Sequence, residues 1–260
     1  MHTTFAVSVG NTRTQTGIIA AETISDVIYS PAGSIEHLVE LATAWWKDGG
    51  KENEGSVLLA SVNPEVSTKI ESVLRDQLGT EVYVLERDLP IPIGRDLDPE
   101  TIVGVDRLLC AAAAWNQAKQ ACVIVDAGTA VTVDFVDGEG VFHGGAILPG
   151  ATMQLESLAN GTNLLDAVEF QVPDEEAFGR STAAAMQRGV YHGIRGGVWR
   201  IIEVFALAYG GYPTVLATGG DATTLFGDDE LITAIVPDLA INGIAVAARH
   251  ASATDADSES

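Results

Sequence analysis

The sequence predicts an α/β fold built from two repeated halves, and three observations carry that reading. Apolar strands alternate with helices along the chain, a strand–glycine turn–strand unit near the start returns after residue 120, and the chain is rich enough in apolar groups to fill a large core. At 260 residues and 47% hydrophobic it has the length of one large domain or two ordinary ones.

The elements follow in order. Phe5–Val9 is an apolar strand, Gly10-Asn11-Thr12-Arg13 a turn, and Gly17–Ala20 lies in a second strand, which is hairpin chemistry. Ile35, Leu38, Leu41, Ala42, Trp45 and Trp46 recur at helical spacing, so a helix is expected over 34–46 with Ser34 as its N-cap. A polar loop over 47–55 precedes a β-branched buried strand at 57–62, a helix at 64–78 and a strand at 82–85. Three prolines between residues 89 and 99 oppose regular structure. The alanine-rich stretch 103–118 is strongly helical and reads as the link between the halves. The second half restarts with a strand at 121–125, a turn at Asp126-Ala127-Gly128-Thr129 and a strand at 130–135. A hairpin closing at residues 144–150, a helix from about Met153, a loop to Phe178, helices over 182–208, a strand at 213–217 and a helix at 239–250 complete it. The expected division is therefore 1–115 and 116–250, with an acidic, disordered tail over 251–260.

Charge narrows the function. Thirty-six acidic against 14 basic residues leave a formal charge of −22, a field that repels nucleic acid and anionic membranes alike. No apolar run approaches the roughly 20 residues of a membrane span, and the N-terminus lacks a signal-peptide pattern, so a cytoplasmic protein is expected. Cys110 and Cys122 lie in apolar surroundings without metal-binding spacing and read as buried free thiols. Any phosphate site in so acidic a chain must draw its positive potential from backbone amides, a metal ion and a few arginines. Three glycine turns directly after strands could supply such amides: Gly10-Asn11-Thr12, Gly128-Thr129 and Thr218-Gly219-Gly220. Each could equally be an ordinary turn.

Five separated blocks, in order, resemble the type III pantothenate kinases: Ser8-Val9-Gly10-Asn11-Thr12, Gly104-Val105-Asp106-Arg107, the run from Val125 to Asp134, the run from Gly144 to Gly150, and Ala217-Thr218-Gly219-Gly220. Weaker echoes lie at Gly179–Thr182 and at Pro237–Gly243. The resemblance spans nearly the whole chain. It implies the superfamily of acetate and sugar kinases, Hsp70 and actin, with two duplicated ribonuclease H-like halves around a nucleotide cleft. It also implies transfer of the γ-phosphoryl group of ATP to the primary hydroxyl of pantothenate, the first step of coenzyme A synthesis, with magnesium, a monovalent cation (potassium or ammonium) and a homodimer.

Residue by residue, the resemblance places ATP at Ser8, Val9, Gly10, Asn11, Thr12, Arg13, Thr14, Gln15, Thr129, Gly219 and Gly220. It places pantothenate at Gly104, Val105, Asp106, Arg107 and Thr182, and the monovalent cation at Asp126. Asp106 would be the general base, against the plain alternative of an acid at a helix start; Arg107 would bind pantothenate or the transferred group, against a solvated arginine. Turn chemistry is the alternative for Asp126 and Thr129, an N-cap for Thr182, and a strand-end acid for Asp134. Two departures stand out. Ser8 occupies the position where the family carries the aspartate that holds magnesium, and a neutral hydroxyl is the weaker ligand. Residues 95–98, Arg95-Asp96-Leu97-Asp98, lack the aromatic residue that lines the family's pantothenate pocket. Ser8 also motivates a rival expectation, a catalytically weakened homologue that acts as a ligand-binding regulator or accessory factor.

Overall fold

Alternation along the first strand sets up the first half. In β1 (Thr3–Val9), Phe5, Val7 and Val9 point to one face and are buried there. The computed structural model describes residues 3–20, 23–52 and 54–258, with side chains as far as residue 253. β2 (Arg13–Ala20) and β3 (Thr23–Pro31) complete an antiparallel meander, and β4 (Ser56–Ser61) and β5 (Val82–Val84) add on the other side of β1 in parallel. The order is β3-β2-β1-β4-β5. Val57 and Leu59 of β4 share the apolar face with β1. Leu38, Ala42 and Trp45 of α1 (Ile35–Trp45) cover it with Ile70, Leu74 and Leu78 of α2 (Pro64–Leu78). Ser34 sits at the N-cap of α1 but makes no side-chain cap bond there. α2 matches its expected bounds because its signals are local. The Asn63 side chain accepts from the N–H groups of Glu65 and Val66, Pro64 opens the helix, and Gly79 ends it.

The second half repeats the plan. β7 (Cys122–Ala127), β8 (Ala130–Val136) and β9 (Val141–Pro149) form a meander, and β10 (Thr214–Thr218) and β11 (Ala234–Ile235) extend it in parallel from β7. The two-residue β6 (Gly94–Arg95) joins beyond β9. Strands β9-β8-β7-β10-β11 thus stand in the same order as β3-β2-β1-β4-β5, which is the duplication expected from the turns. Val123, Val125, Val131 and Val133 bury one face against α4 (Ala151–Gly161), α5 (Thr182–Tyr209) and α6 (Ala222–Phe226).

Several elements differ from expectation. β3 was not foreseen, because it is mostly exposed and carries no apolar run; its ladder with β2 makes it a strand. β6, α6 and β11 were also missed, being two to five residues long. The expected helices over 182–208 are one helix of 28 residues, although Gly189, Gly193, Gly196 and Gly197 lie inside it. Buried Met186, Val190, Ile194, Val198, Ile202 and Ala206 recur every four residues, and this packing outweighs the roughly 1 kcal/mol that each interior glycine costs. Asp126, expected in a turn, lies inside β7.

The chain forms two compact units: residues 1–94, 98–117 and 238–260 make the first, and residues 95–97 and 118–237 the second. α3 (Val105–Ala118) and α7 (Leu239–Ser258) therefore belong to the first unit except at Ala118, whereas the sequence assigned the closing helix to the second half. The reason is packing. α7 lies on β1, β2, β3 and β4 with Ile241 and Ile244 fully buried, and the Tyr29 hydroxyl donates to the Asp238 carboxylate at its start. α7 also runs through Ser258, into the stretch expected to be a disordered tail; residues 259–260 lie outside the described residues. Cys110 and Cys122 are buried free thiols, and burial pushes Cys122 up to about 12, so it stays protonated. Among the described residues no helix is long and apolar enough to cross a membrane.

Candidate active site

In the first unit the candidate residues fall on a hairpin and a helix start. The Gly10 N–H donates to the Arg13 carbonyl at 2.8 Å, which closes the β1–β2 hairpin around Asn11 and Thr12. Asn11, Thr12 and Arg13 are exposed at the tip, Gly10 and Gln15 are half-buried, and Val9 and Thr14 are buried behind them. Ser8 is buried between Gln15 of β2 and Ala60 of β4. This is the carboxyl end of parallel β1 and β4, the edge at which open α/β sheets receive ligands. Asp106 stands in the first turn of α3, half-buried, where the helix dipole favours an anion. Its Oδ1 accepts the Arg107 N–H at 2.8 Å, and the Gly104 carbonyl accepts from Arg107 and Leu108. Val105 is buried beneath this turn, while Gly104 and Arg107 are half-buried.

In the second unit three turns converge on one end of β7. Asp126 pairs with Thr132 of β8 and Thr218 of β10 and is half-buried. Gly219 has φ +96°, and a Cβ there would lie 2.3 Å from the Ala127 carbonyl oxygen and 2.4 Å from Asp126 Oδ1. The Gly219-Gly220 turn therefore lies directly on the Asp126 carboxylate, an approach that only glycine permits. The Asp221 N–H, donating to the Ala127 carbonyl at 2.9 Å, pins the turn in place. From the other side the Gly150 N–H donates to the Thr129 carbonyl at 3.1 Å, and a Cβ on Gly150 would sit 2.2 Å from the Gly128 oxygen. Gly150 ends the Gly144–Gly150 block, and the sequence by itself gives it no role. The glycines of that block were the available signal, but only tertiary structure shows what lies against them.

The structure thus gathers Asp126, Thr129, Gly219 and Gly220 at one edge, and Ser8 to Gln15 on one hairpin. Thr182 is exposed in the first turn of α5. The N-cap alternative for Thr182 is corrected: that role belongs to Ser181, whose Oγ accepts the Ala184 N–H at 3.1 Å. Asp134 is not a strand-end acid; it is buried within β8 opposite Ile124 and Gly145. The segment lacking an aromatic residue runs along β9, with the Asp96 N–H on the Phe142 carbonyl and the Asp96 carboxylate 3.3 Å from His143.

Ser8 and Asp126 hold equivalent places, each on the central strand of its sheet and two residues before the hairpin glycine. One repeat keeps a carboxylate there; the other presents a hydroxyl. A magnesium ion ligated directly by position 8 does not fit this neutral donor. Among the described residues no group of three or more histidine, cysteine, aspartate or glutamate side chains could hold a metal ion.

A family model described as type III pantothenate kinase matches residues 4–204. A type III pantothenate kinase from Rhodopirellula baltica is 39% identical over 203 residues, covering 74% of this chain and 71% of the relative. Another, from Dehalococcoides mccartyi, is 29% identical over 248 residues and covers 93% and 95% of the two chains. Among solved structures, a Campylobacter jejuni protein described as belonging to the Baf family of transcriptional activators matches with a TM-score of 0.60 at 18% identity, covering 95% of this chain and 98% of that one. MreB5 of Spiroplasma citri, solved bound to ADP, matches with a TM-score of 0.50 at 10% identity over 100% and 99%. At such identities the structural likeness speaks for the fold alone.

Proposed function

The chain belongs to the type III pantothenate kinase family, and on that premise we propose how its residues phosphorylate pantothenate with ATP to give 4'-phosphopantothenate, the first step of coenzyme A synthesis. The observation that supports the assignment is the family match across residues 4–204, which contains four of the five motif blocks. The alternative of a weakened regulatory homologue gains nothing from the relatives and is set aside.

ATP is received by the β1–β2 hairpin, Ser8 to Gln15, and by Thr129, Gly219 and Gly220. Backbone amides at these turns suit phosphates in a chain with few basic side chains. Gly104, Val105, Arg107 and Thr182 bind pantothenate. The Asp106 carboxylate takes the proton of the primary hydroxyl as the new O–P bond forms to the γ-phosphorus and the bond to the β,γ-bridging oxygen breaks, releasing ADP. The Arg107 N–H on Asp106 Oδ1 orients that carboxylate and leaves its second oxygen for the hydroxyl. Asp126 would hold potassium or ammonium, and that ion would supply positive charge to the site. Position 8 offers no carboxylate to the divalent ion that accompanies ATP. A homodimer in the cytoplasm completes the proposal.

The test is pantothenate-dependent ADP release by the purified protein with magnesium, for wild type and Asp106→Asn. Loss of a general base lowers turnover by about 10²- to 10⁴-fold, and ATP binding should persist. A variant with most of its turnover would leave Asp106 as no more than an acid at a helix start.

A further inference from the structure

We propose that Arg195, far along α5 from any motif, is a positioning residue that sets where the Gly219-Gly220 turn meets the nucleotide. The proposal rests on the reading of that turn as part of the ATP site.

The turn runs straight into α6, and α6 cannot hold itself. It is five residues long, well short of what an isolated helix needs in water, and Asp221 makes no side-chain cap bond at its start. Buried Ala222, Leu225 and Phe226 seat it in the core, and Arg195 adds the polar tie at its far end. Nη1 donates to the Leu225 carbonyl at 3.0 Å, near the C-terminus of α6, where the helix dipole favours a cation. The same group bonds Asp228 Oδ1 at 2.6 Å and the Tyr191 hydroxyl at 2.6 Å, and Nη2 lies 3.2 Å from Asp229 Oδ2. Trp199 of α5 donates its Nε1–H to that Asp229 oxygen at 2.7 Å. The Arg195 side chain is 13% exposed and the Asp229 side chain 1%. A guanidinium forked between a helix end, two carboxylates and a phenol thus fastens α6 to α5.

The two ends of α6 are one helical turn apart. The Leu225 N–H donates to the Asp221 carbonyl at 2.8 Å, the Ala222 N–H reaches the Gly219 carbonyl at 3.3 Å, and Asp221 in turn holds the Ala127 carbonyl beside Asp126. A shift at Leu225 therefore passes through a single hydrogen-bonded turn, about 5.4 Å of helix, to the glycines. Arg195 touches neither substrate in this arrangement; it acts through α6.

The experiment compares Arg195→Gln, Arg195→Lys and Gly219→Ala with wild type by steady-state kinetics in both substrates, with ATP affinity from equilibrium titration. Arg195→Gln should weaken ATP by about tenfold while KM for pantothenate stays within about twofold, and Arg195→Lys, which keeps the charge but not the fork, should recover part of the loss. Gly219→Ala should weaken ATP at least as much. If Gly219→Ala leaves ATP affinity unchanged, the turn is not part of the nucleotide site and that reading falls. If Gly219→Ala weakens ATP but Arg195→Gln only lowers the melting temperature, the Arg195 cluster is merely structural and the proposal is overturned. Should Arg195→Gln fail to fold, Trp199→Phe keeps the ring, removes the bond to Asp229 and should raise KM for ATP alone by two- to threefold; equal changes in both KM values would refute positioning.

Discussion

Replacing Gly150 with alanine tests whether the contact beneath the Gly128-Thr129 turn governs catalysis. Gly150 has φ −68° and ψ 173°, a conformation open to any residue, so alanine brings no backbone strain and the effect isolates the contact. Its Cβ would begin 2.2 Å from the Gly128 oxygen and 2.5 Å from the Thr129 oxygen, where ordinary contact starts at 3.4 Å. The turn, or the start of α4, must therefore give by about 1.2 Å. Overpacking of this kind costs about 1–3 kcal/mol, and a displacement near 1 Å at a reacting centre can cost about 10²-fold in rate. We expect kcat/KM for ATP to fall by one to two orders of magnitude, with a melting temperature lower by several degrees. Gly161→Ala is the control, since an added Cβ there meets nothing within 4 Å. Steady-state kinetics and thermal unfolding of both variants decide it. A Gly150→Ala protein with wild-type stability and kcat/KM within twofold would show that the turn yields freely, and Thr129 would then have no claim to position ATP.

Three further outcomes follow from the site and its surroundings. Ser8→Asp restores a carboxylate at the end of β1, so the magnesium concentration for half-maximal rate should fall severalfold; an unchanged value would mean another acid holds the ion. Potassium or ammonium should activate more than sodium, and Asp126→Asn should erase the difference; identical rates in all three salts for wild type would remove the cation from Asp126. The Arg87 guanidinium, at 2.7 and 2.9 Å, holds the nearly buried Glu71 carboxyl below its ordinary 4.5. A depressed folded value adds stability at neutral pH that is lost as pH falls through it, so Arg87→Gln should lower the melting temperature at pH 7 and progressively less below about 4.5. A stability gap that stays constant down to pH 3 would show that the pair contributes nothing through ionisation.

The sequence alone settled what depends on near neighbours. Strand β1 and helix α2 were legible because an apolar run and the signals at Asn63, Pro64 and Gly79 act within a few residues, and the hairpin glycines Gly10 and Gly128 announced the duplication. The family motifs likewise named Asp106, Asp126 and Gly219 as candidates. Tertiary structure decided what depends on residues far apart in the chain. β3 exists through its ladder with β2 rather than through burial, and α5 stays continuous across four glycines because its buried stripe outweighs their cost. α7 joins the first unit because its apolar face finds β1 and β2, which no periodicity within residues 239–258 could reveal. The same holds at the site. Gly150 and Gly219 matter for the carbonyls of residues 127–129, and Arg195 for a helix end 30 residues away, because steric exclusion and buried charge are properties of the assembled fold.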